Sequence, residues 1–313
     1  MKKILNKIQY KINKKRFDHA AREIRNTPPA EYKLNKEIVI VSQVYHNAVD
    51  MTLIALKSFL LEFGQGFVEL LDDGSLTQED IALFKEHLPH INITHIDDID
   101  VGKCPKGGCW ERLIHISNLS SEAYVLQVDT DTVTVNNIFE VYDYVSNNQA
   151  FTIGGPTWDK PVDLNYLAKT MAKFKKAHVQ VAGEKILHSI ESIALERYCR
   201  GCAAFTGFPK GGLKFEDIEA FSMEMEQKLG SPLWNEWGSE QFCSNVMISK
   251  CENPEILSWP KYQNYGFPVF NSDSNTKNIH SRVSVLHFIG SNRFVDNTYK
   301  DLSERMIEKI NSL

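Results

Sequence analysis

Apolar positions in this chain follow two periods, and the way they alternate predicts its architecture. Short, nearly continuous apolar runs at residues 37–44, 67–71, 91–96 and 124–128 have the length and β-branched content of buried strands. Between them, Leu53, Leu56, Phe59 and Leu60, then Ile81, Phe84 and Leu88, then Trp110, Leu113 and Ile114 recur every three to four residues, as on one face of a helix. Thr77-Gln78-Glu79-Asp80 adds a helix-start signal before the second of these. Strands buried on both faces and alternating with helices predict an α/β fold with a mixed, mainly parallel central sheet flanked by helices.

Further on, the pattern predicts a helix starting in residues 135–140, a strand over 150–155 and a long Lys-rich helical segment over about 164–197. A small-residue strand at 201–207, a helix at 216–229, an apolar strand from 283 and an amphipathic helix over 298–313 complete it. The chain divides into an N-terminal helix and linker (1–30), a body (31–297, with halves 31–135 and 136–297) and the final helix (298–313). Thr27-Pro28-Pro29 ends the first helix.

The first 26 residues hold nine Lys or Arg against two acids, with Ile4, Leu5, Ile8 and Ile12 at helical spacing. This is a basic amphipathic helix. It is read in two ways: as a contact to an anionic membrane surface, where each basic residue contributes about 1 kcal/mol, or as a solubilising helix packed loosely on the body. The whole chain, with 313 residues, 42% hydrophobic content and a net charge of −5, belongs to the ordinary globular class and gives no electrostatic reason to bind nucleic acid. Six cysteines in a chain of this length, with no apolar signal segment or membrane span, lead to the expectation of a cytoplasmic protein, held peripherally at the inner face of the membrane if the first helix binds lipid.

The chemistry concentrates where the run Tyr124-Val125-Leu126-Gln127-Val128 ends in Asp129-Thr130-Asp131. Two carboxylates one residue apart on an extended chain point the same way and can share one hard cation, Mn²⁺ or Mg²⁺. The alternative is a strand end followed by a solvated turn. Val283 to Phe288 is a second such run; its His287 can offer a neutral imidazole to a metal or be a satisfied structural group, while Gly290 and Arg293 suit a phosphate. Arg112 is a candidate phosphate or base contact, or a solvated surface arginine. Cys104, Cys109, Cys199 and Cys202 have ligand-like spacing for a four-sulfur zinc site, against the commoner reading of inert cysteines. Trp234-Asn235-Glu236-Trp237-Gly238-Ser239-Glu240-Gln241 is either an aromatic sugar-binding loop or a loop whose tryptophans plug the core. No Gly-x-Gly-x-x-Gly or Gly-x-x-x-x-Gly-Lys-Ser/Thr loop follows the first strand, so the common dinucleotide and P-loop readings lack their phosphate cradle.

Over about residues 37–294 the chain resembles the GT-A fold nucleotide-sugar glycosyltransferases, most nearly family 8. Three motifs carry the likeness: Val128-Asp129-Thr130-Asp131 for the Asp-x-Asp, Glu240-Gln241-Phe242-Cys243-Ser244-Asn245 for an Asp-Gln with Asn four residues on, and His287-Phe288-Ile289-Gly290-Ser291-Asn292-Arg293-Phe294 for the terminal His-x-x-Gly-x-x-Lys-Pro-Trp. Glu stands for Asp in the second, and Arg for Lys without Pro-Trp in the third.

The resemblance implies transfer of a sugar from a nucleotide-diphosphate donor, with a UDP-sugar favoured, to a carbohydrate or lipid-linked hydroxyl acceptor. It makes 31–135 the nucleotide-binding half and 136–297 the acceptor half, with Asp129, Asp131 and His287 on the metal and Arg293 beside the diphosphate. Ser42 to His46, including Tyr45, and Asp72-Asp73 are expected to hold base and ribose. An inverting reaction would use Glu240 or Glu236 as base; a retaining one would use a diphosphate oxygen, Gln241 or Glu240. The competing readings are a sugar-1-phosphate nucleotidyltransferase, whose Gly-rich loop Val44-Tyr45-His46-Asn47-Ala48 does not supply, and a non-catalytic carbohydrate-binding member of the fold.

Overall fold

A computed structural model describes residues 2–175, 178–267 and 276–312. Helix α1 (Lys2–Ala21) leads through a 3-10 turn into β1 (Lys33–Val44), α2 (Val49–Phe63), β2 (Gln65–Asp72), α3 (Gln78–His87), β3 (Ile91–His95), α4 (Trp110–Ser120) and β4 (Tyr124–Val128). The sequence signals for this half act as read. Thr77 Oγ1 accepts the Asp80 N–H while the Asp80 carboxylate accepts the Thr77 N–H, closing the capping box that starts α3. Gly64, at φ 75°, ends α2 and returns its N–H to the Leu60 carbonyl, so that β2 begins at once.

The second half runs β5 (Thr132–Thr134), α5 (Phe139–Ser146), β6 (Phe151–Ile153), β7 (Val162–Asp163), α6 (Leu164–Met171), α7 (Val179–Ile186), β8 (Arg197–Tyr198) and β9 (Cys202–Phe208). It continues with α8 (Phe215–Leu229), α9 (Ser231–Trp234), α10 (Ser239–Lys250), β10 (Glu255–Leu257), β11 (Tyr262–Asn264), β12 (Val285–His287) and α11 (Thr298–Asn311). The main sheet has the order β10-β6-β9-β4-β1-β2-β3. Only β9 runs antiparallel to its neighbours, so the sheet is mixed and mainly parallel, as expected.

One face of the sheet is covered by α1, α2, α11 and a small sheet of order β11-β12-β5; the other is covered by α4, α7, α8 and α10. β7 and β8 form a separate two-stranded ribbon.

Three expectations change. The segment after Asp131 is a strand, β5, and the helix expected from 135–140 starts only at Phe139, because the Val135 N–H is taken by the Ser284 carbonyl. The long helix expected over 164–197 is instead two short ones. A single helix of that length would extend about 50 Å and leave most of its apolar side exposed, whereas folding back lets Leu167, Met171 and Val179 enter one core. Asp163 and His178 each start one of the two helices by accepting a backbone N–H. The region 234–241, read as a loop, is divided between the ends of α9 and α10.

Candidate active site

β4 is buried throughout, and Asp129 follows it directly. The Asp129 N–H bonds the Ala204 carbonyl at 2.8 Å, and its own carbonyl accepts both the N–H and the hydroxyl of Thr132. This turn delivers Asp131 and then β5. β12 pairs antiparallel with β5, setting His287 opposite Thr132, and the Phe288 N–H bonds the Asp131 carbonyl at 2.9 Å. Asp129, Asp131 and His287 therefore meet at the carboxyl end of β4, with one potential ligand atom from each lying within 4.8 Å of the others. They form the one such group of His, Cys, Asp and Glu among the described residues.

His287 is buried, with Nε2 3.4 Å from Asp131 Oδ1. Its Nδ1 lies 2.7 Å from Asn264 Oδ1 on β11 and 3.6 Å from Cys202 Sγ on β9. Burial opposes its positive charge, but the Asp131 carboxylate outweighs burial and holds the imidazole pKa well above its ordinary value. For Asp131, burial alone would raise the pKa, yet His287 and the Arg293 guanidinium, which pairs with its other oxygen, bring it down to about 2.

Arg112, on α4, is buried rather than solvated. It bonds Asp129 Oδ1 at 2.7 Å and reaches Glu240 Oε1 at 3.4 Å, while its Nε has no partner. Glu240 sits in the first turn of α10, almost fully buried; burial, then the charge of Asp129, push its pKa up to about 7 against the pull of Arg112. A hydrogen bond from the Trp110 indole N–H to Ser239 Oγ ties the starts of α4 and α10 together.

Two carboxylates and an imidazole are a donor set for a hard or borderline cation, Mn²⁺ or Mg²⁺, and three protein ligands leave positions for phosphate oxygens and water. Each aspartate also faces an arginine, which offsets the repulsion between two carboxylates gathered at one place.

The other sequence candidates are distributed around this centre. Ser42 is fully buried and donates to the Val128 carbonyl, which braces the strand carrying Asp129. Tyr45 lies near Arg293 and Tyr299. Asp72 accepts the N–H groups of Gly74 and Leu76, and Asp73 those of the Ser75 backbone and hydroxyl, so both carboxylates shape the turn after β2. Gly290 is exposed, and its carbonyl accepts the Tyr10 hydroxyl.

Gln241 donates to Gln180 on α7, and Glu236 is exposed. Trp234 is the core plug of the two readings: it is fully buried, donates to Ser222 and packs edge-on to Trp110, whereas Trp237 is 71% exposed. The four-sulfur site does not form among the described residues; Cys104 and Cys199 are buried thiols, and Cys202 stands beside His287 instead.

Sequence reasoning missed Asn264 and Gln127, and it grouped Cys202 with other cysteines rather than with His287. Gln127 donates both to Asp129 Oδ1 at 3.3 Å and to the Ala203 carbonyl. As the lone strongly polar residue in an apolar run, it was detectable; Asn264 carried no such signal.

No family model matches the sequence, and no curated protein matches it. Among solved structures the chain is similar to the apo structure of WbbM, a bifunctional glycosyltransferase, with a TM-score of 0.50 and 15% identity, covering 88% of this chain and 52% of that one. It thus spans about half the length of WbbM. It is also similar to the galactosyltransferase LgtC in complex with donor and acceptor sugar analogues, with a TM-score of 0.48 and 13% identity, covering 88% of this chain and 96% of that one. The sheet order and the WbbM likeness identify the fold as GT-A.

Proposed function

We propose that the protein is a metal-dependent glycosyltransferase that moves a sugar from a nucleotide-diphosphate donor, a UDP-sugar in the favoured case, to a hydroxyl of a carbohydrate or lipid-linked acceptor in polysaccharide or glycolipid synthesis. The observation that carries this reading is the convergence of Asp129, Asp131 and His287 at the carboxyl end of a central strand. Ligands of open α/β sheets gather at that end. The WbbM and LgtC likenesses, both to glycosyltransferases, agree with it.

Asp129, Asp131 and His287 would hold Mn²⁺ or Mg²⁺, which supplies electrostatic stabilisation to the departing diphosphate. Arg293, already directed at Asp131, would share its charge with the diphosphate, and the exposed Gly290 leaves the backbone open to approach. Tyr45 and the turn at Asp72 and Asp73 would line the nucleoside side. Glu240, with its pKa near neutrality, is the strongest acid–base candidate, and Arg112 links its charge state to that of Asp129. Gln241 and Glu236 are secondary, since the first is bonded to Gln180 and the second faces solvent.

The test is nucleotide release from a panel of UDP-, GDP- and CMP-sugars, with Mn²⁺ or Mg²⁺ and with chelator. Metal-dependent release from one donor is expected; the absence of both release and metal-dependent binding with every donor would sink the proposal.

A further inference from the structure

Helix α1 carries two apolar stripes, and it uses only one to pack. At about 100° per residue, Tyr10, Asn13, Phe17, Ala20 and Ala21 share one sector, and all five are buried or partly buried against the body. Ile4, Leu5, Ile8 and Ile12 occupy a sector centred roughly 155° away; they are 63%, 60%, 50% and 40% exposed. Lys7 and Lys11 lie on one side of this second stripe and Arg16 on the other, while Lys15 follows within its sector beyond Ile12; all four are exposed.

The charge is segregated in the same way. Nine of the chain's 35 Lys and Arg, but only two of its 40 Asp and Glu, fall in the first 26 residues, and the first acid is Asp18. An acidic body thus presents one strongly basic helix whose outward face is aliphatic. That combination is complementary to anionic headgroups lying over acyl chains. No helix among the described residues is long and apolar enough to cross a membrane, so the contact it suits lies in the plane of the surface.

The packing stripe, in turn, grips the active-site segment. Tyr10 donates to the Gly290 carbonyl, Asn13 donates to the Phe294 carbonyl, and Phe17 stacks on Tyr299 and tilts against Phe294. Between these points lies Arg293, paired with Asp131. Ile4 stands only about 9 Å along the helix axis from Tyr10.

We propose that α1 docks on an anionic phospholipid bilayer through Ile4, Leu5, Ile8, Ile12 and their flanking lysines, and so holds the Asp129–Asp131–His287 centre at the membrane surface. The docking stands on the helix alone; its use, presenting the site to a lipid-linked or surface-bound acceptor, rests on the transferase reading.

The experiment is co-sedimentation of the full chain with vesicles of phosphatidylcholine alone and with about 30% phosphatidylglycerol. It is repeated for Ile4→Ser/Ile8→Ser/Ile12→Ser and for Lys7→Glu/Lys11→Glu/Lys15→Glu, with thermal midpoint and light-scattering mass measured in parallel. The expected result is binding to the anionic vesicles, little to the neutral ones, and at least about tenfold weaker partitioning of both variants at unchanged thermal midpoint. Absence of binding, binding that survives both sets of changes, or an isoleucine-dependent dimer in place of vesicle binding would overturn it. No nucleotide sugar is present, so a failed donor panel leaves this result standing, and the reverse also holds.

Discussion

His287 Nε2 lies 3.4 Å from Asp131 Oδ1 because β12 pairs with β5 in the register that sets His287 opposite Thr132. If this contact is half of a cation site, Asp129→Asn and Asp131→Asn should each lower metal-dependent turnover on the order of 10³-fold, the several kcal/mol that a bound metal contributes to charge stabilisation. Circular dichroism should stay unchanged. Either variant at full activity would remove the metal assignment.

Cation affinity should depend on pH in a definite direction. Because Asp131 holds the His287 pKa well above its ordinary value, binding at Nε2 displaces a proton. Mn²⁺ affinity measured by calorimetry should rise as pH rises, with proton release seen in buffers of different ionisation heat. A flat profile would mean that the imidazole is not a ligand.

Asn264 supports that imidazole from behind, accepting at 2.7 Å from Nδ1. Asn264→Ala removes the acceptor that orients the ring, and metal affinity should fall by about 10–100-fold. Undiminished affinity would show that the ring is positioned by Cys202 and packing alone.

Glu240 gives a second pH handle. Its pKa is raised from 4.5 to about 7, chiefly by burial, so its contribution to stability is full below the ordinary value and is lost as pH rises through about 7. In chelator, the wild-type thermal midpoint should drop across that interval and that of Glu240→Gln should not. If Glu240 is the catalytic base, kcat/KM should show an acid limb that vanishes with the variant.

The two tryptophans near α10 should behave oppositely. Trp234→Ala opens a cavity in the core beside Trp110 and should cost about 3–5 kcal/mol in denaturant unfolding. Trp237→Ala should leave stability within about 0.5 kcal/mol, and a raised acceptor KM there would support a role in acceptor binding.

What the sequence by itself determined was the local and repetitive part of the structure. Apolar runs such as 124–128 and the capping box at Thr77 and Asp80 set strands, helices and their order, because burial and end-capping are decided within a few residues. The same runs marked Asp129, Asp131 and His287, since a carboxylate or imidazole ending a buried strand stands out against its neighbours. What only the tertiary structure decided was who meets whom. β5 is three residues long, too short for a periodic signal, yet it is the strand that carries β12 to the aspartates. In sequence Arg112 reads as either a phosphate or base contact or a solvated arginine; only the packing of α4 and α10 traps it between Asp129 and Glu240. The divided helix at 164–197 and the buried Trp234 have the same cause: amphipathic periodicity says that a face must be covered, but which core covers it is set by contacts between residues far apart in the chain.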